Sequence, residues 1–122
     1  MKLTLEQPGR VNAVSSHAPG EVRIGERVLV SSAIVTAERV VEGWPVHDAG
    51  ELSLELLEAA LGLEPEILVL GTGERQVFPE PELFAVAASR GIGLEVMDNG
   101  AACRTFNVLL SEGRNVALAL IL

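Results

Sequence analysis

The stretch Ile67-Leu68-Val69-Leu70-Gly71-Thr72-Gly73 decides the fold. Four consecutive aliphatic residues closed by a glycine pair read as a short strand buried on both faces, the pattern of a parallel strand in a covered sheet. Downstream the pattern switches to helix over Glu80 to Arg90. Pro79 and Pro81 stand at its start and Gly91 follows its end, with a core stripe of Leu83, Phe84, Ala87 and Ala88. Gly93-Leu94-Glu95-Val96-Met97 reads as the next strand. Gly100 to Glu112 reads as a helix, with Ala102, Phe106, Leu109 and Leu110 on one face and Gly113 at its end. Asn115 to Leu122 is a last, almost wholly apolar strand. Strands joined by helices in this way run parallel through right-handed crossovers.

Working back from Ile67, residues 52–62 read as a helix. Ser53 is its N-cap, Leu52 and Leu57 form a hydrophobic staple across the cap, and Gly62 is the expected left-handed residue past its end. The first 47 residues look different. Residues 1–9 read as an extended arm ending in Pro8-Gly9, and Arg10 to Ser15 as a first strand, with His17-Ala18-Pro19-Gly20 as a turn. Glu21 to Ile24 and Arg27 to Val30 flank Gly25-Glu26 as a hairpin, where Gly25 supplies positive φ. Ala33 to Thr36 is a short strand. Val40 to Val46 is an extended segment broken by Gly43 and Pro45, and Pro45, which lacks a backbone donor, places the strand at an edge or ends it there. The expectation is one α/β domain over residues 1–122, mainly β over 1–47 and alternating over 48–122.

Composition narrows the function. Nine Lys and Arg against seventeen Asp and Glu leave a net charge of −8. That charge repels nucleic-acid phosphates and anionic membranes. The single cysteine, Cys103, excludes an internal disulfide and suits a reducing compartment. The first eight residues lack the apolar core of a signal peptide and the arginines of a transit peptide. The longest apolar run, 116–122, is too short to cross a bilayer. Together these lead to the expectation of a cytoplasmic protein without membrane insertion or nucleic-acid partner.

Candidate sites are few. Gly71, Thr72 and Gly73 end a parallel strand, where α/β folds place ligands. The pattern lacks the third glycine of a dinucleotide fingerprint and the Lys-Ser/Thr of a P-loop, so a tight structural turn is the stronger reading. Asp98 and Gly100 open the last long helix, whose N-terminus can hold an anion, although Asp98 or Asn99 as a plain cap is the commoner use. Both groups belong at the same end of the sheet, which predicts a pocket there, lined by Thr72 and Arg104. Arg104, Asn107 and Ser111, with Glu112 beside them, form a polar helix face that reads as solvated or as an interaction surface. Arg114 reads as a complement to the helix C-terminal dipole. Cys103 reads as a buried structural cysteine. His17 and His47 are too scattered to argue a zinc site, and no residue set specifies a catalytic reaction or a cofactor.

Gly71-Thr72-Gly73-Glu74-Arg75, the strand from Gly91 to Asp98, Thr105-Phe106-Asn107 and Glu112-Gly113-Arg114 together resemble the family of mitochondrial complex I assembly factor 3. Trp44 and Val46 fit the same pattern. The likeness covers roughly residues 40–122 well. It implies a single-domain, three-layer α/β fold: an antiparallel β layer, a central mixed sheet and crossover helices, β/β/α-like. It also implies a protein partner in assembly or biogenesis, with no established enzymatic activity. The alternative reading is a small-ligand or anion-binding protein with its pocket at the carboxyl end of the central sheet.

Overall fold

The computed structural model describes residues 11–122. The arm expected over 1–9 lies outside them. The elements are β1 (Val14–Ala18), β2 (Glu21–Ile24), β3 (Arg27–Leu29), β4 (Ala33–Thr36), β5 (Val40–Glu42), a 3-10 turn (Ala49–Glu51), α1 (Leu54–Leu61), β6 (Ile67–Gly71), α2 (Pro81–Ser89), β7 (Gly93–Met97), α3 (Asn99–Ser111) and β8 (Val116–Leu120). Strands β1-β2-β3 form an antiparallel sheet, and the central sheet has the order β5-β4-β8-β6-β7. In the central sheet β5-β4 and β4-β8 are antiparallel, while β8-β6 and β6-β7 are parallel. The α/β class, the separate antiparallel layer and the mixed central sheet are as the sequence leads one to expect.

Alternation along the central strands builds two cores. Leu68 and Leu70 of β6 and Ala117 and Ala119 of β8 face α1, α2 and Trp44. Val69 of β6 and Val116, Leu118 and Leu120 of β8 face α3 and the small sheet. Trp44 donates its indole N–H to the Leu56 carbonyl (2.9 Å), which ties the segment after β5 to α1. The β6-to-β7 and β7-to-β8 connections travel in opposite directions across the sheet. Right-handed crossovers must then put α2 and α3 on opposite faces, and they do. So α3 shares a layer with the small sheet, not with the other helices.

Local signals account for most boundaries. Gly25 has φ +63° in the two-residue turn that pairs Ile24 with Arg27. Ser53 caps α1 by accepting from the Leu56 N–H. Asp98 caps α3 by accepting from the Ala101 N–H (2.9 Å). Gly91 and Gly113, both with positive φ, end α2 and α3. The β5 strand lies at the edge of the central sheet and ends at Glu42, short of Pro45.

Four expectations are corrected. The first strand runs to Ala18, because Ala18 pairs with Glu21 and only Pro19-Gly20 is left to turn. Ala88 is exposed and Val86 takes its place against the core beside Leu83 and Ala87, since α2 lies rotated on the sheet. Arg114 does not serve the helix dipole; it makes a two-point pair with Glu66 across the start of β6. Gly62 is not left-handed: its φ of −67° continues the helical twist. The chain reverses two residues later, where Glu64 takes φ 56°. Its carbonyl then accepts from the Asn115 side chain, which holds the reversal in place.

Glu64 is thus a residue with a Cβ in a conformation that glycine adopts without strain. Glu64→Gly is expected to raise the unfolding free energy by up to about 1 kcal/mol, the left-handed penalty relieved less the added flexibility of the unfolded chain. Urea denaturation checks this; a loss of stability would show that the Glu64 side chain contributes more than its backbone costs.

Candidate functional site

The carboxyl ends of β6 and β7 open on a cleft of ≈ 460 Å³. Its walls come from five segments: the end of β1 with His17 and the turn that follows it, the stretch His47-Asp48, the loop after β6 with Thr72, Gly73 and Glu74, the start of α3 with Asp98 and Gly100, and Ile121-Leu122. The two glycine-bearing turns therefore meet at one end of the sheet, as expected for strands that run parallel. The fold also brings His17 and His47 there from distant parts of the chain. A side chain placed on Gly100 would come within 3.3 Å of His17 Cε1 and 3.4 Å of Arg104 Nη1, so both groups stand over this glycine. Arg104 is exposed and borders the cleft without lining it. Among the described residues no group of three or more His, Cys, Asp or Glu is arranged to hold a metal ion.

Hydrogen bonding separates framework from free groups. The Thr72 hydroxyl donates to the Arg75 carbonyl (2.6 Å) and accepts from the Val77 N–H (3.0 Å). It closes its own loop, and both bonds compete with any ligand. Gly71 lies outside the cleft: a Cβ there would sit 2.4 Å from Asn99 Oδ1 and 2.6 Å from Leu120 Cδ2. It is a close-approach glycine, not a ligand cradle. Asn99, which sequence reasoning treated only as a cap, is the pin of this end. Its Oδ1 accepts from the Gly73 N–H (3.0 Å) and its Nδ2 donates to the Ile121 carbonyl (2.9 Å). Gly73, Asp98 and Gly100 line the cleft, the Gly73 N–H already given to Asn99 and the Asp98 carboxylate to the Ala101 N–H, and Asp48 and Glu74 bring the carboxylates of the lining to three.

The polar face of α3 divides in the same way. Asn107 accepts from the Val14 N–H and donates to the Val14 carbonyl, both at 2.8 Å. It belongs to the framework, holding β1 at the irregularity where the β1–β2 register shifts. Ser111 is exposed and its hydroxyl donates to the Val108 carbonyl one turn back. Of the three residues on this face, Arg104 is the one whose side chain makes no hydrogen bond or ion pair among the described residues. Phe106 is fully buried in the core beneath, and Thr105 donates to the Met97 sulfur.

Cys103 is buried on the inner face of α3, and burial raises its thiol from the usual 9.0 to about 11; the Arg104 charge opposes this only weakly. The folded state therefore keeps a proton that the unfolded state gives up first. Stability from this group is complete below pH 9 and falls as pH rises toward 11. A two-unit shift corresponds to roughly 2–3 kcal/mol. Wild type is expected to lose about that much more stability than Cys103→Ala between pH 8 and 11, read from guanidinium melts. Parallel curves would show that the thiol ionises freely in the folded protein.

Comparison with known proteins adds the family. The family model described as "Protein of unknown function (DUF498/DUF598)" matches residues 14–121. The NADH dehydrogenase [ubiquinone] 1 alpha subcomplex assembly factor 3 of Bos taurus is 36% identical over 121 residues, covering 98% of this chain and 65% of that protein. A Francisella tularensis protein named "13 kDa major membrane protein" is 34% identical over 89 residues, 72% of each chain. This chain spans between 53% and 65% of the length of the Xenopus and bovine assembly factors. Among solved structures, a Xanthomonas campestris protein matches with TM-score 0.80 at 43% identity, covering 98% of this chain and 92% of that one. A Bordetella pertussis protein described as a Mth938-like domain matches with TM-score 0.82 at 30% identity, covering 98% and 91%. A match over nearly all the described residues makes this chain a member of the DUF498/DUF598 family, and its sequence relatives include proteins named complex I assembly factor 3.

Proposed function

We propose that this protein is an interaction module that serves the assembly or biogenesis of a larger protein complex, respiratory complex I being the first candidate. The observation that carries this is the likeness to assembly factor 3 across almost the whole chain. On this reading its business is to hold a partner protein, and turnover of a substrate is not required. Its location is proposed to be the cytoplasm. Among the described residues no helix is long and apolar enough to cross a membrane. Cell fractionation checks the location; recovery with the membrane pellet after a high-salt wash would contradict it.

Deleting the gene in its host tests the role. Assembled complex I, resolved on native gels, should fall while the transcripts of its subunits stay level, and the chain expressed from a plasmid should restore it. Undiminished complex I would remove that complex as the target. A quantitative pull-down from native extract then decides whether any saturable partner exists at all.

The cleft supports a second reading, that of a small-ligand binder, because it lies where parallel sheets take ligands and has the volume of a ligand pocket. Its three carboxylates argue against a strongly charged anion. Backbone amide shifts of Gly73 and Gly100 in NMR titrations with inorganic phosphate should therefore stay flat. Saturable shifts at those two amides would favour the anion site instead.

A further inference from the structure

The loop from β6 to α2 presents the most exposed aromatic surface among the described residues. Phe78 is 66% exposed and Val77 beside it 45%. The chain has only four aromatic residues in 122, and the other three are buried or partly buried. Spending one of them on solvent calls for a physical reason.

Slack in the loop is not that reason. On the upstream side the Thr72 hydroxyl accepts from the Val77 N–H and donates to the Arg75 carbonyl. Between them Gln76 donates its side-chain amide to the Val96 carbonyl on the open edge of β7 (2.9 Å). Downstream, Pro79 is buried and Pro81 begins α2. The Phe78 ring leans on Phe84 of α2, centroids 6.5 Å apart and planes at 45°. One side of the ring is thus supported and the rest is held out. A braced aromatic with its rotamer restricted loses little entropy on binding, which is how aromatic anchors come to dominate protein interfaces.

Charge identifies what fits over it. Within four residues on either side stand Glu74, Glu80 and Glu82, all exposed, against one cation, Arg75. A second copy of this chain, itself at −8, would bring the same sign to the contact. An anionic lipid surface would be repelled as well.

We propose that Val77 and Phe78 are the anchor of a protein-docking surface whose occupant is a partner protein offering an apolar hollow rimmed by lysine or arginine. The proposal rests on the interaction reading above and gives that reading a place. Thr72 and Gln76 act here as positioning residues, which hold the anchor out without touching the partner.

The experiment places the photo-crosslinker benzoylphenylalanine at position 78 in host cells, with position 30 as control, since Val30 is 73% exposed and outside the loop. The expected result is one heterologous adduct at position 78 and none at position 30. It should be lost in the Glu80→Lys/Glu82→Lys background and map by mass spectrometry beside basic residues. With that partner purified, Phe78→Ser should weaken binding at least about 30-fold, while melting stays within about 4 °C of wild type. An adduct of twice the chain mass, a lipid adduct, no adduct above the control, or one indifferent to charge reversal would each overturn the proposal. A larger melting shift would also overturn it, by making Phe78 a packing residue. Tagged wild type keeps the two readings apart. If it recovers a partner while position 78 is silent, the interaction role stands and this surface falls; if it recovers none, both fall.

Discussion

Asn107→Ala is expected to destabilise the protein by about 2–3 kcal/mol. The reason is a pair of orphaned backbone groups. Asn107 satisfies both the N–H and the C=O of Val14, each at 2.8 Å, across 93 residues of sequence. An alanine leaves a partly buried donor and a partly buried acceptor unmatched, at about 1–3 kcal/mol for each group that water cannot reach. For a domain of this size that is roughly 10 °C in melting temperature. Asn107→Asp is the sharper probe. It keeps an acceptor for the N–H but turns a carboxylate oxygen toward the Val14 carbonyl, so it should fare no better than alanine. Hydrogen exchange at the Val14 amide should accelerate in both. A change within about 0.5 kcal/mol would be that of an ordinary surface residue and would return Asn107 to the solvated face.

Gly71→Ala should cost about 3–4 kcal/mol. The new methyl group would overlap Asn99 Oδ1 at 2.4 Å and Leu120 Cδ2 at 2.6 Å. Leu120 is fully buried in the central strand and has little room to retreat. Overfilling such a site costs about 1–3 kcal/mol. Displacing Asn99 from Gly73 and Ile121 adds roughly 1 kcal/mol for each hydrogen bond lost. The cause is separable by a double-mutant cycle. In an Asn99→Ala background half of the collision is gone, so the added cost of Gly71→Ala should shrink by 1 kcal/mol or more. Full additivity would point to Leu120 alone. A harmless Gly71→Ala would mean that the turn has space, and the ligand-cradle reading of Gly71 would regain its footing.

These residues show what the chain discloses on reading and what it withholds. The strand Ile67–Gly71, the Gly25 hairpin and the Ser53 and Asp98 caps rest on local chemistry within a few residues, and each is in the structure. The meeting of the Gly73 and Gly100 turns followed from parallel topology, and that also held. What stayed hidden depends on distance. Asn107 on Val14 and Asn99 on Ile121 join segments 93 and 22 residues apart. Amide side chains carry no periodicity that names a backbone partner, so Asn107 on a polar face looks the same whether it meets water or a strand. His17 and His47 share a cleft only because β1 and the segment after β5 fold to one end. Even Gly62 misled for a local reason: a helix can tighten through Leu63 and reverse one residue later, at Glu64.

The place of β8 has a consequence for how the protein is made. It lies between β4 and β6, and through it the antiparallel and parallel halves of the central sheet are joined. Ribosomes deliver it after every element it must unite. Until Val116–Leu120 emerges, β4 and β6 each hold an open, apolar edge toward a neighbour not yet synthesised. Leu122 and Ser32, bonded in the finished fold, are 90 residues apart. Folding must therefore wait on translation, and the nascent chain is vulnerable to wrong strand pairing for most of its synthesis. The requirement for a chaperone should be greatest when elongation pauses just upstream of β8.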